Sequence, residues 1–294
     1  MSDSETPCLL DYLPPPEDPE ESAITKLIKD KLIQEDVIQE EFESSRAREF
    51  GTKNPQIQDV PFYNAMIRSN YIPDFAYTIM ERKINMRVRR YDGVPTWTLR
   101  GRRGQSTTIL PDKRIVAIGG VYGGYPTWDV DYCRYNDVLV VQPKQPGQLD
   151  STFTLYGYPE ATFPPNAFHS ATLVGEDIYI IGGQGSKEKE KVGTETQVFR
   201  LSTKDFSIEK VETKGKSPGW ICYHQARAIS SYEILIEDST EILEVRSGLT
   251  GMARLLKNYV ALFNIKNATW KRFLQDEPGD EEIETPYLGS YVFN

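Results

Sequence analysis

The sequence predicts a mainly β chain in which repeated four-stranded antiparallel units fill residues 95–294 behind an α-helical N-terminal region. Two observations carry this reading. A segment recurs: Gln105 to Gly120 and His169 to Gly183 both read as two short strands, a polar turn and a glycine pair. The apolar period also changes after Asn85, from helical to alternating, and stays mostly alternating to the C-terminus.

Taken in order, residues 1–18 are rich in Pro, Asp and Glu and poor in large apolar groups, so a disordered acidic tail is expected there. A helix is expected to start at Asp18, with Pro19 in its first turn and Glu21 in the capping-box position. Ile24, Leu27, Ile28, Leu32, Val37, Ile38 and Phe42 keep a 3.6-residue rhythm that fades before Gly51. Two shorter helices are predicted between Val60 and Ile84, with Pro61 and Pro73 at first-turn positions and Asn85 as a stop. Phe62, Met66, Ile67, Phe75, Ile79 and Met80 are their expected buried faces. Residues 19–94 therefore read as a helical cap or docking region.

The third copy of the repeat, His224 to Asp238, keeps the strand pattern but carries Glu237 and Asp238 where the others have glycines. Each copy continues into a third strand, at Asp137 to Val141, Thr196 to Leu201 and Tyr259 to Asn264. A fourth follows at Phe153 to Tyr156, Phe206 to Val211 and Ala268 to Phe273. Strand, strand, glycine pair, variable loop, strand and aromatic-bearing strand resembles the kelch repeat, and His169 to Val211 is the best copy. The resemblance implies a β-propeller, in which paired glycines let crowded inner strands pass and each blade buries its faces against its neighbours. About 200 residues at roughly 50 per kelch unit allow about four blades, and three are evident. The leftovers are Thr96 to Arg100 and Tyr287 to Phe293, readable as strands of a split fourth blade. The expected fold is a small or incomplete kelch-like propeller. Three closures stay open: an irregular ring, a blade stack capped by the N-terminal helices, or a ring completed by a second chain as a homodimer.

Charge narrows the function classes. Residues 1–50 hold 14 Asp/Glu against 5 Lys/Arg, a balance of −9 that equals the net charge of the chain. The remainder is neutral, which argues against general phosphate attraction and hence against a nucleic-acid partner. No apolar run is long enough for a membrane span and no secretion signal opens the chain, so a cytoplasmic or nuclear protein is expected. Cys8, Cys133 and Cys222 have neither zinc spacing nor an even count, and no metal or other cofactor is expected.

Loops between inner strands are where propellers usually meet partners. The loop from Val121 to Arg134 carries Tyr122, Tyr125, Trp128, Tyr132 and Arg134, amphipathic rings among charges of the kind that make interface hot spots. These five are the candidate protein-partner site, with inward packing of two or more rings as the competing reading. Gln184 to Thr194 reads as a solvated hairpin tip, and Ser239 to Lys257 as a loop with a short helix. Arg87, Arg89, Arg90, Arg100, Arg102 and Arg103 form a local basic cluster whose simplest partner is the acidic N-terminal region. No catalytic constellation stands out. The two histidines, His169 and His224, occupy equivalent repeat positions, which points to a structural role such as a bond to neighbouring backbone. Members of the kelch family include a copper radical oxidase and a sialic acid isomerase. Two imidazoles on successive blades are a poor copper supply, whereas a carbohydrate-directed isomerase or lyase stays open as the alternative, with Arg227, Glu237 and Asp238 as nominees.

Overall fold

The computed structural model describes residues 39–84, 94–123, 131–143, 151–185, 195–245 and 253–273. The chain is mainly β and divides into two compact units, residues 1–158 and 159–294. The helical region thus shares a unit with the first copy of the repeat. The acidic tail, the helix start at Asp18 and Tyr287 to Phe293 lie outside the described residues.

In the first unit, α1 (Gln39–Ser45) lies within the segment whose rhythm predicts a long helix, of which residues up to 38 are outside the described set, and α2 (Pro61–Ser69) and α3 (Pro73–Ile84) follow. Both prolines open their helices, where a missing N–H costs no intrahelical bond. α2 ends on Asn70 at φ 55°, whose N–H returns to Met66 O. This left-handed cap is one that asparagine tolerates. Phe62, Met66 and Ile67 are buried as expected. Phe75 is not: it is 47% exposed, and Ala76 and Tyr77 are buried instead. The Tyr77 hydroxyl accepts hydrogen bonds from Arg46 Nη1 (2.5 Å) and Thr96 Oγ1 (2.8 Å), which turns that face of α3 inward. The side chains of Ile79 and Met80 lie outside the described set.

The first meander consists of β2 (Ser106–Ile109), β3 (Ile115–Ile118), β6 (Val138–Gln142) and β7 (Thr152–Gly157), with the short β1 (Gln56–Ile57) paired to β7. Strand alternation sends Ile115, Ala117, Leu139, Val141 and Leu155 into one core with Phe42, Phe62, Tyr63, Met66 and Tyr77. The helices therefore cover one face of this sheet. Thr96 to Arg100 is not a strand. Thr96 makes a single bridge to Ala47, Trp97 N–H donates to Arg46 O, and the Trp97 ring stacks on Tyr63 with centroids 4.5 Å apart. The segment is spent on fastening the helices, so it has no ladder to offer a split fourth sheet.

In the second unit, β8 (Ser170–Val174), β9 (Asp177–Ile181), β10 (Val198–Ser202) and β11 (Ile208–Lys210) form a second four-stranded meander. A third contains β13 (Gln225–Ser230), β14 (Glu233–Val245), β15 (Ala253–Asn264) and β16 (Thr269–Phe273), with β12 (Ile221–Cys222) paired to the far end of β14. These two sheets share a core: Tyr179, Ile181 and Val198 meet Ile234, Ile236, Ala261, Phe263 and Trp270.

Glycine explains where the second strands stop. Gly119 and Gly120 have φ of 59° and 96°, Gly182 and Gly183 of 67° and 100°, and each pair ends its strand. A Cβ on Gly183 would lie 2.0 Å from Asn166 Oδ1, and one on Gly182 would lie 2.4 Å from Ile221 O. The third copy has Glu237 and Asp238 there, and β14 runs on to Val245, with Ile242 opposite Leu255 and Val245 opposite Ala253. The expected loop at Ser239 to Lys257 is accordingly corrected over residues 239–245 and 253–257, which are paired strand, while residues 246–252 lie outside the described residues.

Candidate functional site

The first loop is closed at its base by a short ladder, β4 (Val121–Tyr122) against β5 (Cys133–Arg134). Tyr122 is half-buried and packs on the helix-covered core, so one of the five nominated residues turns inward. Tyr132 and Arg134 are half-buried as well, with the Arg134 guanidinium 5.8 Å from the Tyr132 ring centroid. Tyr125 and Trp128 lie outside the described residues. The base is held from several sides. Thr96 N–H donates to Asp131 Oδ1 (3.0 Å), Arg103 Nη2 to Gly123 O (2.7 Å), and Arg48 Nη1 to Arg134 O. This arrangement fixes the described base of the loop, residues 121–123 and 131–134.

Of the basic cluster, Arg100, Arg102 and Arg103 are described, and Arg103 is exposed whereas the Arg102 side chain is withdrawn from the surface. Arg102 is buried, with its side chain 1% exposed, and pairs in bidentate fashion with Asp137: Nη1 to Oδ1 at 2.5 Å and Nη2 to Oδ2 at 2.9 Å. Its guanidinium lies 3.5 Å from the Tyr135 ring centroid, and Trp97 Nε1 donates to Asp137 Oδ2. Burial works against the Arg102 charge, and the Asp137 carboxylate more than restores it, so the guanidinium is held firmly protonated. Arg100 reaches Asn70 O, whereas Arg87, Arg89 and Arg90 lie outside the described residues. Arg102 therefore holds the start of β6 to the segment after Trp97 and is unavailable to the acidic tail or to phosphate.

In the second unit the two histidines come together. His224 Nε2 lies 2.8 Å from Ser170 Oγ, next to His169, so the bond is to a hydroxyl and not to backbone. Burial pushes His169 down to about 3, helped by repulsion from His224, and burial alone pushes His224 down to about 4. Both rings are neutral near pH 7. The two imidazoles stand just ahead of β8 and β13, at the starts of successive sheets, and His224 acts electrostatically on His169. Even so, among the described residues no group of three or more His, Cys, Asp or Glu is placed to hold a metal. Arg227 and Glu237 form a surface ion pair between β13 and β14 (3.1 Å), with side chains 63% and 39% exposed. The side chain of Asp238 lies outside the described set. Among the described residues no helix is long and apolar enough to cross a membrane.

One arrangement escaped the reading of the sequence. The residue ahead of each repeat adopts left-handed backbone: Gly104 at φ 62°, Phe168 at 61° and Tyr223 at 57°. For a bulky residue that conformation costs of order 1–2 kcal/mol. Phe168 and Tyr223 are in ring contact, tilted by 32° with centroids 4.2 Å apart, yet Tyr223 stays 52% exposed. The signal was present in the alignment of the copies, which places glycine, phenylalanine and tyrosine in one slot. No family model matches the chain and no curated protein matches it, so the chemistry of these sites rests on their own residues.

Proposed function

We propose that the chain is a kelch-like repeat protein that works as a protein-interaction module, gripping its partner through the loop that rises from the β4–β5 ladder. The observation that carries this is the anchored platform: Tyr132 and Arg134 keep part of their surface in solvent while Asp131, Arg48 and Arg103 fix the backbone around them. A preorganised base lowers the ordering cost of binding, and tyrosine with arginine is the pair most used at interface centres. Binding is favoured over a carbohydrate isomerase because the nominated acid and base, Glu237 and Arg227, neutralise each other on an exposed sheet surface. The cytoplasm or nucleus fits Cys133 and Cys222, which are buried and unbridged.

A second copy of the chain is a further partner that the geometry suits. Leu235 and Leu262 are half-buried between core neighbours, so they lie on the face of the third sheet turned away from its core. Light scattering of the intact chain tests this, with a monomer as the refuting mass. For the loop, co-purification from native extract should recover a protein that is lost when Tyr132→Ala and Arg134→Ala are combined. Recovery undiminished by the double variant would refute the loop as the site.

A further inference from the structure

Arg102 shows how this fold satisfies an arginine withdrawn from water. A ring lies under the guanidinium, Tyr135 at 3.5 Å, and a bidentate carboxylate, Asp137, closes it. Arg48 has only half of that arrangement. It is half-buried, its guanidinium lies 4.3 Å from the Phe50 ring centroid, and Nη1 donates to Arg134 O at the base of the β4–β5 loop. Its charge reaches the Cys133 thiol, where it opposes the rise that burial imposes. Among the described residues no carboxylate pairs with Arg48, and its Nε is shut off from solvent with no acceptor.

The acids closest along the chain face other groups. Asp131 Oδ1 accepts from Thr96 N–H, and the charge of Glu49 adds to burial in raising the Tyr63 phenol above its usual range. A guanidinium carries a permanent charge and several N–H donors, so partial desolvation without an anion costs free energy that a pair recovers. A surface arginine escapes that cost by reaching into water. Arg48 is instead held against the ladder by Arg134 O and Phe50.

We propose that Arg48 is an anion-binding residue of the partner site and takes an Asp or Glu side chain that the partner places beside Arg134; this rests on the reading of the β4–β5 loop as the partner site. Nη1 spends one hydrogen on Arg134 O, which leaves its second hydrogen and those of Nη2 for the oxygens of a carboxylate. A phosphate would bring a second negative charge to a chain whose net charge is already −9, so a single carboxylate suits the site better. Desolvated charge pairs of this kind set which partner is accepted, because a partner without the acid leaves the arginine unanswered.

The test titrates the full chain with capped hexaglutamate, and with capped hexaglutamine as control. The readout is the Arg48 Nε–H resonance, assigned by its loss in Arg48→Gln, together with the amide resonances of Tyr132 and Arg134. A saturable shift with a midpoint on the order of 1 mM or below is expected for hexaglutamate and none for hexaglutamine. In Arg48→Gln the response of the two amides should weaken about tenfold or more. The urea midpoint of Arg48→Gln without peptide is expected to stay within about 0.5 M of the wild type, because no carboxylate of the chain is stranded. A fall as large as that of Arg102→Ala would mean that a carboxylate of this chain already holds Arg48, and would overturn the proposal. So would unmoved resonances at about 10 mM hexaglutamate, an equal response to hexaglutamine, or a larger response to inorganic phosphate than to hexaglutamate. The loop reading fails separately. Co-purification undiminished by the Tyr132 and Arg134 double variant removes that reading and this one with it, whereas a partner lost from the double variant but kept by Arg48→Gln leaves the loop and removes the acidic contact.

Discussion

Acidification from about pH 7.5 to about pH 5 is expected to remove about 4 kcal/mol from the stability of the second unit, through its two histidines. His169 and His224 are buried with values pushed down to about 3 and about 4, so at pH 5 the folded state leaves both rings neutral. In the unfolded chain each has a value near 6.5 and takes up a proton as the pH falls. A group whose value is depressed on folding contributes stability above its unfolded value and loses it as the pH drops, so the sign is destabilisation by acid. At about pH 5 the gap is about 1.5 pH units, or about 2 kcal/mol for each ring and about 4 for both. The figure needs only that both folded values lie below 5. No other histidine exists in the chain, which keeps the window clean. Urea unfolding read through Trp220 and Trp270 should show the midpoint falling by about 2 M between the two conditions. His169→Gln combined with His224→Gln should flatten that dependence to below about 1 kcal/mol. Equal midpoints for the wild type at the two pH values, or a double variant as pH-sensitive as the wild type, would refute the reasoning.

Removal of the Arg102 side chain strands the buried Asp137 carboxylate, so Arg102→Ala is expected to cost about 3–5 kcal/mol in a denaturant titration of the first unit. Two glycine substitutions separate strain from crowding. Gly175→Ala, at φ 64° with nothing within 4 Å of the new Cβ, should cost about 1 kcal/mol, the left-handed term alone. Gly183→Ala, at φ 100° with Asn166 Oδ1 and Ala167 O in the way, should cost at least about 3 kcal/mol, and equal urea midpoints for the two variants would contradict that account. Deletion of residues 1–84 takes Phe42, Phe62, Tyr63, Met66 and Tyr77 off the first sheet. The shortened chain is expected to aggregate or bind a hydrophobic dye, and a well-folded monomer by light scattering would show that the helices are dispensable.

The meanders were legible because their signals are local. Val138–Gln142, Val198–Ser202 and Thr269–Phe273 fall within a residue or two of the strands read from alternation, and Pro61 and Pro73 mark both helix starts. Contacts between distant residues carried no such mark. Arg102 and Asp137 are 35 positions apart, and nothing in the basic run singles out the one arginine that is buried. Thr96 to Arg100 has the composition of a strand, but its backbone and rings are claimed by Arg46, Ala47 and Tyr63. The loop residues were nominated as one set, and only the ladder below them decides that Tyr122 packs inward while Tyr132 and Arg134 keep some exposure.

The copies of the repeat divide their positions into two kinds. Where all copies must do the same backbone work, a substitution changes the architecture: replacing the glycine pair by Glu237 and Asp238 lets β14 continue, and a loop gives way to paired strand. Where a slot's backbone geometry survives a change of residue, the new side chain is free to acquire a task. Gly104, Phe168 and Tyr223 share one conformation, and Gln105, His169 and His224 follow them. In the second unit these slots hold two aromatics in tilted ring contact and two buried imidazoles, whereas the first unit has a glycine and an amide there. The second unit should therefore be the acid-sensitive one. Rebuilding its slots as Gly-Gln in a single variant is expected to abolish the pH dependence while all three meanders keep their strands.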